Sequence, residues 1–271
     1  MLPMSDGATQ ELAYLDGRTM PASEAAIPAT DDGLIRGDGV FEVVRVYDGR
    51  PFAFDAHLDR LERSTENLRL GREVPRGELE EQLPRLVAER GGEAFDGQVR
   101  IILTRGGRTL ILTEPLPPSA ERPRLAYVTF APSRILDGIK SLSYAGNMLA
   151  GRIAQERGFD EALLVTPHGR VLEAPTSSIF WVEPGGDLCT PPLEDHILAS
   201  ITRDRLMRVV DVKERHVTTD ELLEAEEAFL ASTTREAQPV GGIEDRAFSE
   251  VGERTTAVRE ALLDHIRAEL G

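Results

Sequence analysis

The chain has 271 residues, 41% of them hydrophobic and 29% charged, the proportions of a globular protein with one large or two modest cores. Its net charge of −16 excludes a binder that works by neutralising nucleic-acid phosphates. The single cysteine, Cys189, excludes an internal disulfide. No apolar run approaches the roughly 18 residues of a membrane span, no secretory leader pattern opens the chain, and the expectation is a cytoplasmic protein without metal-site spacing among its histidines.

In chain order, Leu12 to Arg18 reads as a hairpin about Asp16-Gly17. Gly39 to Phe54 is the clearest strand region, with a turn at Asp48-Gly49-Arg50-Pro51. Leu58, Leu61 and Leu68 predict a helix over Ala56–Leu70 with Asp55 as its N-cap. A second helix follows over Arg76–Arg90, with Pro84 inside it. Strands are expected at Gln98–Thr104 and Arg124–Phe130. This is an α+β domain over residues 1–130, followed by a linker at 131–137 and a second domain over 138–271. In the second part a helix is expected over Asn147–Arg157, and short strands at Ala162–Thr166, Val171–Leu172, Ser177–Val182 and Glu227–Ala231. Helices are expected over Ser200–Val210 and Thr255–Leu270.

Several short stretches carry chemistry. Lys140 is one amine among uncharged residues, and Glu173 one carboxylate after an apolar pair. An imine-forming lysine must be desolvated or lie near other cations. Arg60 stands beside the apolar stripe of its helix, either as a snorkelling surface residue or as a guanidinium held for an anion. Ser200 is an N-cap, and the Ile201 and Thr202 amides behind it open a helix start that suits an anion. Ser232-Thr233-Thr234 follows a strand, either as a polar turn or as a row of donors. Arg105-Gly106-Gly107-Arg108 is either a solvated hairpin tip or a loop that a ligand approaches closely.

Taken in order, Gly37-Asp38-Gly39-Val40-Phe41-Glu42, His57-Leu58-Asp59-Arg60-Leu61, Lys140, Glu173 with Ser177-Ser178-Ile179-Phe180, Thr190-Pro191-Pro192, Ile201-Thr202-Arg203 and Ser232-Thr233-Thr234 with Pro239-Val240 resemble the class IV aminotransferases. The resemblance runs from about Tyr14 to Leu262 and implies the two-domain fold type IV architecture: a small N-terminal α/β domain and a larger, β-barrel-like C-terminal domain with flanking helices. It implies pyridoxal 5′-phosphate as cofactor and a homodimer. Lys140 then matches the lysine that forms the imine with the cofactor, and Glu173 the carboxylate that keeps the pyridine nitrogen protonated. Arg60, Ile201, Thr202, Ser232 and Thr233 match the phosphate cup, and Tyr144 a residue beside the ring oxygen. Ser200 and Ser178 stand where glycine and asparagine are common in the family.

Glu42-Val43-Val44-Arg45-Val46-Tyr47 resembles the D-amino acid enzymes most closely, whereas the Arg-Gly-Gly loop resembles the aminodeoxychorismate lyases. The expected function is a transaminase favouring D-amino acids. Arg36, Arg108 and Thr234 are expected to face the substrate. The alternatives are the lyase, which releases pyruvate and 4-aminobenzoate, and a branched-chain L-amino acid enzyme.

Overall fold

The structure, a computed structural model, describes residues 10–271. These divide into two compact units, one running to Leu116 and including Lys140–Ser143, the other comprising Pro117–Ile139 and Tyr144–Gly271.

The first unit contains β1 (Leu12–Leu15), β2 (Arg18–Pro21), α1 (Asp32–Arg36), β3 (Gly39–Tyr47), β4 (Arg50–Pro51), α2 (Phe54–Asn67), α3 (Arg76–Arg90), β5 (Gly97–Thr104) and β6 (Thr109–Glu114). Its strands form one antiparallel sheet of six in the order β2-β1-β6-β5-β3-β4. Both tight hairpins have positive φ at the two central residues, 47° and 90° at Asp16-Gly17 and 47° and 73° at Asp48-Gly49, the combination that matches strand twist. β6 was not anticipated. Its inward positions are Thr109, Ile111 and Thr113, so two of three core-facing residues are hydroxylic and the apolar alternation is broken.

α2 begins at Phe54, not Ala56. Its N-cap is Ala53 in the left-handed region, with no side-chain cap, and Asp55 lies inside the first turn. There Asp55 complements the helix dipole and does not cap it. α3 continues through Pro84, with Leu79, Leu83, Leu86 and Val87 buried.

The second unit contains β7 (Arg124–Thr129), α4 (Ala145–Glu156), β8 (Glu161–Val165), β9 (Ser178–Val182), β10 (Leu188–Thr190), α5 (Ile201–Val209), β11 (Lys213–Glu214), α6 (Thr219–Leu223), β12 (Glu227–Ser232), β13 (Glu236–Pro239), β14 (Gly242–Ile243), β15 (Arg246–Ala247) and α7 (Glu253–Leu270). The strands make two sheets, β11-β10-β9-β12-β13 and β15-β14-β7-β8. Val171 forms only an isolated bridge with Val165, in place of the expected strand. β8 is parallel to β7 and reads as a continuous apolar run because both its faces are covered. Ala162 and Leu164 pack with Ala150 and Ala154 of α4. Leu163 and Val165 pack with Ile179, Trp181 and Leu230 of the larger sheet. Cys189 is buried in that second cluster, and burial, with Asp187 nearby, raises its thiol pKa.

The division differs from the expected domains in two places. β7 pairs in parallel with β8 and β14, so the chain changes unit after Leu116 and not after Phe130. Lys140–Ser143 adds to the start of β3: Phe41 N donates to Lys140 O at 3.0 Å, Leu142 N donates to Gly39 O at 2.8 Å, and Val40 bridges Ser141. Lys140 therefore belongs to the first unit although its neighbours in sequence belong to the second. Among the described residues no helix is long and apolar enough to cross a membrane.

Candidate active site

The site residues expected from sequence are divided between the two units. In the first, α2 presents His57, Arg60 and Ser64 at helical spacing, and all three are buried. They face β3, where Glu42 shares a strand face with Val40 and Val44, all 0% exposed. A carboxylate placed there needs partners to offset its desolvation. Arg60 supplies two bonds, Nε to Oε1 at 2.6 Å and Nη2 to Oε2 at 2.7 Å, and His57 Nδ1 lies 2.8 Å from Oε2. Burial raises the Glu42 pKa, but the charge and bonds of Arg60 and the bond from His57 outweigh it and hold the carboxyl at about 2. Burial lowers the His57 pKa. Glu42 opposes that shift, while the positive charges of Arg60 and Lys140 add to it. The imidazole is therefore neutral, and because an ionised Glu42 only accepts, Nδ1 carries the proton.

Lys140 is fixed beside this network. Its main-chain N donates to Ser64 Oγ at 3.2 Å, and its Nζ stands 4.5 Å from the centroid of the Phe41 ring. The chain has two lysines. The other, Lys213, is exposed and ion-paired to Asp187; the hydrogen bond and charge of that carboxylate raise its pKa and keep it protonated. Lys140 is the lysine with an aromatic face, and its charge acts on His57 together with that of Arg60; proximity to an apolar surface or to other cations is the setting an amine nucleophile requires.

In the second unit, Glu173 Oε1 accepts from the Leu198 amide at 3.2 Å. Two residues on, Ser200 caps α5, its hydroxyl accepting from Arg203 N at 3.3 Å. That bond satisfies one first-turn donor. Ile201 and Thr202, 7% and 6% exposed, carry the amides at the very start of the helix, where no intrahelical acceptor exists. Glu173 and this anion-friendly helix start are thus tied together. β12 runs antiparallel to β9 with Ala231 opposite Ser178, so the Ser232-Thr233-Thr234 turn leaves the sheet at the end where Ser178 enters it. Arg235 N closes that turn on Ser232 O at 3.2 Å. Tyr144 Oη donates to Pro175 O at 2.9 Å.

The two arginines expected at the substrate lie in the first unit, and both are ion-paired. Arg36 lies at the end of α1 with Asp32 at 3.2 Å, and Arg108 pairs with Asp16 at 2.6 Å. The Arg-Gly-Gly tip packs on Asp31, the N-cap of α1; a Cβ at Gly106 would collide with the Asp31 carboxylate. Glu42 and His57 lie within the sequence motifs, but the motifs alone assign them no role. The available signal was a lone acid inside an apolar strand, with His57 and Arg60 three apart on the next helix.

The donors of each unit fit pyridoxal phosphate: in the first, an amine over an aromatic ring suits its aldehyde and an oriented guanidinium its phosphate, and in the second, helix-start amides suit its phosphate and an anchored carboxylate its ring nitrogen. Comparison with known proteins agrees. Residues 39–243 match the family profile of amino-transferase class IV. The chain is 32% identical to a putative branched-chain-amino-acid aminotransferase of Methanocaldococcus jannaschii, over 95% of this chain and 97% of that protein. It is also 32% identical to a D-alanine aminotransferase of Bacillus licheniformis, over 94% and 96%. A fold IV transaminase from Curtobacterium pusillum superposes with a TM-score of 0.83 at 29% identity, covering 94% of this chain and 99% of that one.

Proposed function

From the premise that this chain belongs to amino-transferase class IV and is a pyridoxal-phosphate-dependent aminotransferase, we propose that it moves an amino group between an amino acid, D-amino acids favoured, and a 2-keto acid such as pyruvate or α-ketoglutarate. The observation that carries the roles is the setting of Lys140 over Phe41 beside the Glu42–His57–Arg60 network. The D-amino acid preference rests on the β3 run Glu42–Tyr47 and on the D-alanine enzyme among the relatives.

When bound, the cofactor supplies a protonated ring that accepts the electron pair left at the substrate Cα. Lys140 Nζ would hold the cofactor's aldehyde and would take the substrate's Cα proton. Glu173, oriented by the Leu198 amide, keeps a proton on the ring nitrogen. Arg60, the Ile201 and Thr202 amides, Ser232 and Thr233 would bind the phosphate. Tyr144 would contact the cofactor at its ring oxygen. Thr234 and one of Arg36 and Arg108 meet the substrate carboxylate, which needs a cation once water is excluded. Arg36 is the easier of the two to exchange, because its pair with Asp32 is an exposed i,i+4 contact worth about 0.3–0.5 kcal/mol. The reading includes a cytoplasmic homodimer, supported by the exposure of Leu34 and Ile35 on α1 and testable by light scattering of the eluting protein.

The assay is the half-reaction, followed by loss of the cofactor's visible absorbance with D-alanine, D-glutamate and L-leucine. Faster reaction with the D-amino acids supports the proposal. Faster reaction with L-leucine makes the protein a branched-chain enzyme. The Arg105-Gly106-Gly107-Arg108 loop favours the lyase as second reading, and pyruvate release from aminodeoxychorismate exceeding all transamination would establish it.

Two substitutions probe the roles. Glu173→Gln keeps shape but leaves the pyridinium without a compensating charge; turnover is expected to fall by ~10²–10³-fold with most cofactor binding retained. Full activity would make Glu173 structural. Arg60→Ala would leave Glu42 buried without its cation, so Arg60→Lys is the cleaner variant: it keeps the charge and loses the fork. Loss of a charge-assisted bond of about 1.5–3 kcal/mol predicts roughly a tenfold or greater rise in the dissociation constant for cofactor on dialysis. Unchanged retention would remove Arg60 from the phosphate site.

A further inference from the structure

We propose that Asn147 is a positioning residue for the Glu173 carboxylate, acting through the carbonyl of Pro175. This rests on Glu173 being the ring-nitrogen partner. Immediately after Glu173 the chain makes a tight turn, Ala174-Pro175-Thr176-Ser177. It is closed by Ala174 N donating to Ser177 O at 2.8 Å and Ser177 N donating to Ala174 O at 3.4 Å. Those bonds leave the Pro175 carbonyl pointing out of the turn. A carbonyl oxygen has two lone pairs, and both are used. Asn147 Nδ2 donates to it at 3.0 Å and Tyr144 Oη at 2.9 Å. Both donors stand at the start of α4, Tyr144 as its N-cap and Asn147 in its first turn. α4 is itself anchored by Ala150 and Ala154, 3% and 0% exposed, against Ala162 and Leu164 of β8.

Glu173 therefore sits between two fixed points. On its N-terminal side, Leu164 N donates to Glu173 O and Leu172 N to Leu164 O, each at 2.9 Å, which ties the backbone to β8. On its C-terminal side, the turn is held by Asn147 and Tyr144. The carboxylate itself accepts from the Leu198 amide at 3.2 Å. The backbone clamp fixes the point from which that side chain reaches, and a carboxylate that must hold a proton on a ring nitrogen loses much of its effect when it moves by about 1 Å.

The test is a double-mutant cycle on the holoenzyme, combining Asn147→Ala with Glu173→Gln. Three quantities are read for each protein: kcat of the half-reaction, cofactor retention on dialysis, and melting temperature of the apoprotein. In the native background Asn147→Ala is expected to lower kcat by roughly 3- to 10-fold, the value of one hydrogen bond of 0.5–1.5 kcal/mol. Retention should change less than twofold, because the phosphate contacts are untouched. In the Glu173→Gln background the same substitution should cost less than twofold in kcat, since a displaced group that no longer carries the charge has little left to lose. Additive losses in kcat, or a fall in melting temperature with kcat unchanged, overturn the proposal and make Asn147 a structural anchor. Full activity of Glu173→Gln alone overturns instead the reading beneath it, so the two failures are distinct.

Discussion

Lys140→Ala is expected to abolish turnover, by on the order of 10⁴-fold or more, at the upper limit of what a positioned acid–base group contributes. Two functions leave with one atom, the attachment of the aldehyde and the movement of the Cα proton. The loss is not expected to come from misfolding. The bonds that fix this segment are main-chain ones, from Lys140 N to Ser64 Oγ and from Phe41 N to Lys140 O, and alanine keeps both. The contact of Nζ with the Phe41 face contributes about 0.5–1 kcal/mol, which a stable domain tolerates. Removing the charge also relieves His57 of one of the cations that depress its pKa, so the imidazole should titrate closer to its ordinary value. Borohydride trapping with peptide mapping gives an independent check. The native protein should carry the adduct on Lys140 and the variant none. The chain's other lysine, Lys213, is the informative alternative, and a native adduct there would refute the assignment.

Glu42→Ala should cost about 3–5 kcal/mol of stability, because it leaves Arg60 and its charge buried without the carboxylate that compensates them. Urea unfolding followed by far-UV circular dichroism measures this, and a loss below about 1 kcal/mol would mean that Arg60 finds another acceptor. The same group sets an acid dependence. The Glu42 pKa is lowered from 4.5 to about 2 in the folded state, so its contribution is present above pH 4.5 and is lost as pH falls through 2. A shift of that size corresponds to about 3 kcal/mol. His57 acts in the same direction. Its folded pKa lies below 6.5, so the unfolded chain takes up the proton first and stability declines as pH falls below 6.5. Native protein should therefore lose stability between pH 6.5 and 2, and Glu42→Ala should lack the component below pH 4.5.

The sequence by itself determined the family and most of the elements. The ordered set from Gly37 to Val240 carries the resemblance to the class IV aminotransferases and singles out Lys140 and Glu173 as candidates without any coordinate. Periodicity found α2, α3, α4, α5 and α7, where the buried stripe is apolar, and it missed β6, whose inward face carries Thr109 and Thr113. Ser200 was legible as an N-cap because capping is local. Asp55 was misread as one because the left-handed Ala53 that starts α2 has no sequence signature. The tertiary structure alone decided three things. Lys140–Ser143 returns to the first unit by pairing with the start of β3, a long-range bond that no local pattern encodes. Glu42, His57 and Arg60 become one buried network only when α2 packs on β3. The Pro175 carbonyl acquires Tyr144 and Asn147 only when the turn after Glu173 meets the start of α4. In each case the deciding quantity is whether a buried polar group finds its partner, and that depends on residues far apart in the chain.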